Sequence, residues 1–189
     1  MEHKIIELFL ENGNEPLSGA QVIELLKCDF KTGYKYLAKM TDLNLLYKKG
    51  LGKSYAYTFT GIYHPFVAMA QQNRLFKALK QSEVSSANIA LKRVKPPLFI
   101  ALLFGSRAKG THKSTSDVDL CIITDEKTQK EITSQIDLLP FKIHLLTFTQ
   151  TEFMQMLSVR KDNVAHEIVK NNVIFHGIDS FYWMVNNDN

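Results

Sequence analysis

A glycine-serine turn between two apolar segments constrains the fold of this chain more than any other feature. Residues 98–104 form an apolar run rich in Leu, Ile and Phe, and Gly105 follows it directly. This pattern predicts a buried strand that ends in a tight turn. The next apolar segment begins with Asp117-Val118-Asp119-Leu120. Because side chains alternate along a strand, both carboxylates are expected on one face.

These residues predict a site for a phosphate and a divalent cation. Gly105 lets a phosphate approach the backbone, and Ser106 can cap the helix that follows or offer its hydroxyl to a phosphate oxygen. Arg107 and Lys109 place positive charge beside the same pocket. The two strand acids repel each other unless a cation lies between them, so they are the predicted metal ligands.

The segment from Phe104 to Ile123 resembles the signature of the DNA polymerase β-like nucleotidyltransferase superfamily, in its minimal branch. The end of the chain, around residues 172–177, is similar to the closing segment of that branch. An ordinary strand-loop-strand with surface aspartates explains the alternating acids poorly. The resemblance implies an NTP substrate, with ATP expected, and Mg²⁺ or Mn²⁺ as cofactor. The residues implied in catalysis and metal binding are Asp117 and Asp119; those implied in nucleotide binding are Gly105, Ser106, Arg107, Lys109 and Ser116.

The resemblance also implies a third carboxylate on a later strand, and this chain departs from it there. On the predicted strand 141–148 the expected position holds His144. A neutral imidazole can accept a proton or bind a metal, but it brings no negative charge to offset Mg²⁺. Lys142 lies on the same strand face, and the nearest upstream acid, Asp137, falls near the end of a predicted helix. His144 therefore has a role in the site or is a half-exposed strand histidine, and the sequence leaves catalysis open.

Residues 1–61 predict a domain of three helices and a β-hairpin. A first helix ends at the turn-prone run 12–16, and Ser18 caps a second helix that extends through Lys27. A third helix is predicted from Asp29 to Asp42. The sequence places four residues on one side of it, Phe30, Tyr34, Leu37 and Thr41, and three lysines on the other, Lys31, Lys35 and Lys39. Two short strands, 45–47 and 55–59, flank a glycine-containing loop, 48–53.

This order of elements resembles the winged helix-turn-helix domain of many prokaryotic transcription regulators. The resemblance implies that the third helix enters the major groove of DNA and that the hairpin approaches the phosphates. The implied DNA-binding residues are Lys31, Lys35 and Lys39 on the helix, and Lys48, Lys49 and Lys53 on the hairpin. Lysines mostly contribute sequence-independent affinity, so no base preference follows. Winged helices also bind proteins, and that alternative stays open.

Residues 62–97 form a basic helical linker. They contain six Lys or Arg residues and one acid, which indicates either a nucleic-acid face or a solvated helix surface. A helix is predicted from His64 to Gln81, and Ser85 or Ser86 is expected to cap another that extends to Val94. The apolar stripe of the first helix, at Phe66, Met69 and Phe76, predicts core packing or a homodimer interface.

The fold expected overall is α/β (α+β): a winged helix domain (1–61), the helical linker (62–97) and a nucleotidyltransferase domain (98–189) with a mixed sheet flanked by helices. No apolar stretch long enough to span a membrane and no signal-peptide pattern occur, so we expect a cytoplasmic protein with no membrane partner. Its two cysteines are expected to be reduced, buried thiols. Two functions remain open: an antitoxin-like transferase that modifies a hydroxyl, with a protein as the credible acceptor, and a DNA-binding regulator whose transferase fold is inactive or senses a nucleotide.

Overall fold

The computed structural model describes residues 1–52, 54–95, 98–113 and 115–186, which divide into two compact units, Met1–Ala70 and Gln71–Asn189. The elements of the first unit are α1 (Glu2–Glu11), β1 (Leu17–Ser18), α2 (Gly19–Leu26), α3 (Phe30–Asp42), β2 (Leu46–Leu51) and β3 (Ser54–Phe59). The unit boundary falls inside α4 (Pro65–Ala78). The second unit continues with α5 (Ser82–Leu91), β4 (Ile100–Phe104), α6 (Gly105–Lys109), β5 (Val118–Ile123), α7 (Glu126–Ile136), β6 (Ile143–Phe148), α8 (Gln150–Ser158), α9 (Val164–Lys170), β7 (Val173–His176) and α10 (Ile178–Asn186).

Unit 1 packs α1, α2 and α3 against a small antiparallel sheet with the strand order β1-β3-β2. Capping residues fix where its helices begin. Ser18 and Gln21 form a capping box at the start of α2, and the Asp29 carboxylate accepts a hydrogen bond from the backbone N–H of Thr32 at the start of α3. The three predicted helices and the predicted hairpin are therefore all present. The buried core of this unit includes Ile5, Ile6, Phe9, Val22, Leu37 and Met40.

The face that α3 buries differs from the face that its apolar residues predict. Its buried residues are Gly33, Leu37 and Met40, whereas Phe30 and Tyr34 are exposed. The cause is the absence of a side chain at Gly33. A Cβ there would lie 2.3 Å from Cγ1 of Ile23 in α2, so the glycine allows the two helices to approach more closely than a larger residue would.

The hairpin strands are longer than the sequence predicts. Lys48 and Lys49 belong to β2, where they pair with Tyr57 and Ala56 of β3, so they are not in the connecting loop. The turn itself includes Gly52, whose φ of 60° suits a residue without a Cβ. Lys53 lies outside the described residues.

Two details of the linker also differ from expectation. Helix α5 begins at Ser82, so Ser85 and Ser86 lie within it and do not cap it. Arg74, one of the basic residues counted toward a solvated or nucleic-acid face, is 5% exposed, and its guanidinium donates to Oε1 of Gln71. The basic character of this segment is thus partly turned inward.

Unit 2 is built on a mixed sheet with the strand order β6-β5-β4-β7. Strand β4 pairs antiparallel with β5 and with β7, and β5 pairs parallel with β6. Its core joins the sheet to α5 and α7 through Leu103, Leu120, Ile122, Val84 and Ile132. The parallel register sets Asp119 opposite His144, and the antiparallel register sets Phe104 opposite Asp119. One end of the sheet therefore gathers the residues that the sequence singles out.

Two further features of the described residues bear on the sequence expectations. Within this part of the chain, no helix combines the length and apolar character needed to cross a membrane. Cys28 and Cys121 are free thiols, and burial raises the pKa of the Cys121 thiol to about 12. That thiol stays protonated and unreactive at neutral pH.

Candidate active site

The turn from β4 into α6 brings the backbone against the Asp119 carboxylate. Gly105 has a φ of 69°, and a Cβ built on it would lie 2.2 Å from Oδ2 of Asp119. No other amino acid fits this position without moving the acid, because both the backbone conformation and the space require glycine. The carboxylate and the Gly-Ser turn are therefore adjacent, as a site that binds a phosphate beside a cation requires.

Asp119 lies on β5 and Asp117 directly precedes that strand. Each of these two acids contacts a nitrogen-bearing side chain of the neighbouring segment. Nζ of Lys142 lies 2.8 Å from Oδ2 of Asp117, and Nδ1 of His144 lies 3.1 Å from Oδ1 of Asp119. The hydrogen bond to Asp117, together with its negative charge, raises the pKa of Lys142. The Lys142 ammonium thus offsets the negative charge of Asp117, which reduces the repulsion within the acid pair.

The Arg107 side chain is buried and points into the protein. It is 5% exposed, and its guanidinium donates to the carbonyl oxygens of Ser116, at 2.8 Å, and Asp117, at 3.2 Å. A further N–H donates to Oε1 of Gln81 at 3.0 Å, and Glu83 lies 3.6 Å away. Arg107 therefore fixes the loop that leads into the acid pair, and these contacts differ from the predicted one with a phosphate.

The other predicted nucleotide-binding residues surround the same turn. Within the described part of the chain, the Ser106 hydroxyl has no hydrogen-bond partner, while its carbonyl accepts from the backbone N–H of Thr111 at 3.0 Å. The Ser116 hydroxyl accepts from the backbone N–H of Lys113 at 3.0 Å and so shapes the loop. Nζ of Lys109 lies 3.0 Å from Glu167 of α9. The Ser106 hydroxyl is therefore available to a ligand.

Within the residues that the structure describes, no third acid joins the pair. Among the described residues, no group of three or more His, Cys, Asp or Glu side chains could hold a metal ion. Asp137 is the C-cap residue of α7 and lines a separate open groove of about 610 Å³ beside Thr147 and Glu152. It is therefore not a substitute for the missing carboxylate.

Comparison with known proteins supports the superfamily that the motif suggests. Residues 89–180 match the family model described as Polymerase beta, Nucleotidyltransferase. The match supports placing this segment in the polymerase β-like superfamily, and the four-stranded mixed sheet with its helices fits a nucleotidyltransferase fold. No curated protein matches the chain. The finding supports a nucleotidyltransferase-type activity and leaves the substrate open.

The donor set fits one divalent cation and not two. Mg²⁺ is commonly held by one or two carboxylates, with water and substrate phosphates completing its shell. Asp117 and Asp119 are partly exposed, with 35% and 23% of their side chains accessible, and can serve in this way. A second ion would need the additional acid that this end of the described sheet lacks.

The lysines with a predicted role in DNA binding are distributed over two elements of unit 1. Lys31 and Lys35 are exposed on α3, and Lys48 and Lys49 are exposed on β2. Lys39 forms an ion pair with Glu2 of α1, and its ammonium lies 5.7 Å from the centre of the Phe66 ring. Lys39 is thus held against its own domain.

Proposed function

We propose that unit 2 transfers a nucleoside monophosphate from an NTP to a hydroxyl acceptor. The observation that carries the proposal is the close approach of Gly105 to the Asp119 carboxylate, which joins the Gly-Ser turn to an acid of β5, next to Asp117. The family match over residues 89–180 supports the same class of reaction. ATP is the triphosphate we expect, and a protein hydroxyl is the acceptor we favour.

In the proposed reaction, the phosphates bind at the Gly105-Ser106 turn. Asp117 and Asp119 would hold Mg²⁺ or Mn²⁺, which supplies charge neutralisation and orientation for the triphosphate. The acceptor oxygen forms a bond to the α-phosphorus, the bond from that phosphorus to the bridging oxygen breaks, and pyrophosphate leaves with the bonding electrons. The acceptor proton passes to Nε2 of His144, whose Nδ1–H donates to Asp119 in the corresponding tautomer.

Two basic residues support this arrangement without contacting the reacting atoms. Arg107 holds the carbonyls of the loop before β5 and so positions the acid pair. Lys142 lies against Asp117 at 2.8 Å and offsets negative charge where the superfamily pattern has an acid nearby. Because this ammonium competes with a divalent cation for Asp117, removal of Lys142 is expected to lower the concentration of divalent cation that the site requires.

The test of the transferase proposal uses the purified full chain with Mg²⁺ and each NTP labelled at the α-phosphate. We expect pyrophosphate release together with label on a protein, on nucleic acid or on the chain itself. The Asp117→Ala, Asp119→Ala double variant should abolish both. Asp137→Asn is the matched control, since it removes an acid that lies outside the pair, and it should retain activity. Turnover no greater than that of the double variant, across the four nucleotides and an acceptor panel, would contradict the proposal.

A second candidate function is DNA binding by unit 1. The observation that favours it is the order of elements, three helices followed by a hairpin, with a sheet order of β1-β3-β2. That order matches the winged helix resemblance, and the accessible cations on α3 and β2 are suited to phosphates. In this alternative the transferase fold senses a nucleotide or is inactive, and His144 in place of a third acid is the feature that supports it.

Charge substitutions separate this candidate from the first. The Lys31→Gln, Lys35→Gln double variant should weaken DNA binding and reduce the slope of log K against log salt by about two, since each phosphate contact contributes roughly one. Lys127→Gln, Lys130→Gln is the matched control, because it removes two lysines from α7 in unit 2. Equal binding by both double variants would exclude α3 as the DNA-binding helix.

A further inference from the structure

Three exposed aromatic rings lie on α3 and on the face of the hairpin that continues from the core. Phe30 is 65% exposed, Tyr34 is 45% exposed and Tyr55 is 50% exposed. Tyr55 shares its face of β3 with the buried residues Tyr57 and Phe59, because side chains of a strand alternate. We call Phe30, Tyr34, Tyr55 and the adjacent Lys48 the aromatic surface. Exposed rings that are grouped in this way indicate a binding surface more often than isolated ones do.

The helix part of this surface is one stacked pair fixed on α2. The Phe30 and Tyr34 ring centres are 6.4 Å apart, with an interplanar angle of 26°. The Tyr34 ring also covers the first residue of α2: a Cβ on Gly19 would lie 2.8 Å from Cε1 of Tyr34. The glycine thus provides the space that holds the ring in place, so the pair is ordered before any ligand binds.

The hairpin part adjoins the helix part through β1. Ser18, which precedes the glycine under Tyr34, pairs with Ala56, the neighbour of Tyr55. Burial raises the pKa of the Tyr57 hydroxyl, and the nearby hydroxyls of Tyr34 and Tyr55 add to that effect. The strand pairing therefore places Tyr55 near the start of α2, which the Tyr34 ring covers.

The charge of the aromatic surface is positive. The Lys48 ammonium lies 3.8 Å from the centre of the Tyr55 ring. The sequence contains no Asp or Glu between residues 43 and 82, which includes the whole hairpin. The acid that precedes Phe30, Asp29, accepts the backbone N–H of Thr32. The surface therefore combines flat rings with a cation, Lys48, as a polyanion with exposed planar groups requires.

We propose that the aromatic surface binds single-stranded nucleic acid, with unpaired bases stacked on Phe30, Tyr34 and Tyr55 and a phosphate close to Lys48. Aromatic side chains stack on bases of any sequence once those bases are unpaired, whereas bases in a duplex already stack on each other. The proposal rests on the DNA-binding candidate function and specifies its ligand as an unpaired strand. A protein partner would use the rings but would give no reason for the acid-free hairpin.

The test compares a fluorescently labelled thymidine 20-mer with a duplex of the same length, by anisotropy on the full chain. Phe30→Ala and Tyr55→Ala should each weaken binding of the single strand by about tenfold, the scale of one lost base stack. Tyr55→Phe retains the ring and should bind as the parent does. Tyr47→Ala is the matched control: Tyr47 is 61% exposed and lies on the other face of the hairpin, opposite Thr58.

Other results would overturn the proposal in distinguishable ways. Tight binding of the duplex with weak binding of the single strand would leave DNA binding standing and reject stacking. Binding of neither ligand would reject both. Equal losses for Tyr47→Ala and Tyr55→Ala would exclude this face of the hairpin. Self-association in sedimentation that disappears in Phe30→Ala, without any affinity for the oligonucleotides, would identify the surface as a contact between copies of the chain.

Discussion

At Gly105, the positive φ and the lack of space for a Cβ both require glycine. The cost of replacing this glycine can be measured. Gly105→Ala should lower the free energy of unfolding by more than Gly110→Ala does. Both glycines have φ near 70°, which costs any other residue about 1 kcal/mol or more. Only at Gly105 does the added Cβ also meet a carboxylate, since nothing lies within 4 Å of a Cβ on Gly110.

Urea denaturation of the two variants, followed by circular dichroism, gives the comparison. Nucleotide titrations add a second measurement, because displacement of the Asp119 carboxylate should weaken nucleotide binding in Gly105→Ala alone. Equal losses of stability in the two variants would show that the carboxylate moves aside at no cost, and the tight contact would then have no role in the site.

A second prediction at the residue scale concerns His176 at the end of β7. Its ring lies 5.1 Å from that of Phe99, and its Nε2 is buried without a partner among the described residues. Burial, with a smaller contribution from Lys92, lowers the pKa of His176 below its ordinary value of 6.5. The unfolded chain therefore binds a proton at a pH at which the folded chain does not.

The contribution of His176 to the free energy of unfolding should therefore be fully present above pH 6.5. It should be lost as the pH falls below that value, because the unfolded chain gains a proton before the folded chain does. His176→Phe keeps a ring against Phe99 and removes the proton site, so it should flatten the dependence between pH 7.5 and pH 5, a range chosen to include the ordinary histidine pKa of about 6.5. Urea midpoints at the two pH values provide the measurement. An unchanged slope in the variant would assign the dependence to another group.

At the scale of elements, the contact between α2 and α3 depends on Gly33. Alanine in place of glycine usually stabilises a helix by about 1 kcal/mol. Here the new Cβ would lie 2.3 Å from Cγ1 of Ile23, and overpacking of a core typically costs about 1–3 kcal/mol. Gly33→Ala should therefore destabilise unit 1, and the loss should shrink in an Ile23→Ala background. A double-mutant cycle measures the coupling; additive losses would show that the helices separate freely.

The elements also show which parts of the structure a sequence pattern determines. A local signal predicted the start of α2, because the Ser18 cap needs only the next three residues. Helix α3 was predicted from Asp29, whereas it begins at Phe30 and Asp29 is its cap. The buried face of α3 was not predictable from its apolar residues, because it depends on how closely Gly33 lets Ile23 approach. The strand pattern predicted Asp117 and Asp119 on one strand, whereas β5 begins at Val118 and contains Asp119 alone. The contacts of Arg107 with Gln81 and Glu83 were not predictable, because they join residues far apart in sequence.

At the scale of the whole molecule, the two compact units are expected to respond to different ligands. A ligand present at a hundred times its Kd stabilises the state that binds it by about 2.7 kcal/mol. Hydrogen exchange through openings that require release of the ligand is then about a hundredfold slower. Under the proposals above, Mg²⁺-ATP should slow hydrogen exchange in β4, β5 and β6, and a thymidine 20-mer should slow it in α3, β2 and β3.

Hydrogen exchange followed by mass spectrometry on the full chain resolves these segments. The Asp119→Ala variant is the control for the nucleotide, since it should lose the protection of β4 and β5 and keep the response to the oligonucleotide. Tyr55→Ala is the control for the oligonucleotide and should show the reverse. Protection of the β2–β3 hairpin by ATP in the parent chain would place the nucleotide outside the acid pair, because residues 1–70 contain neither Asp117 nor Asp119.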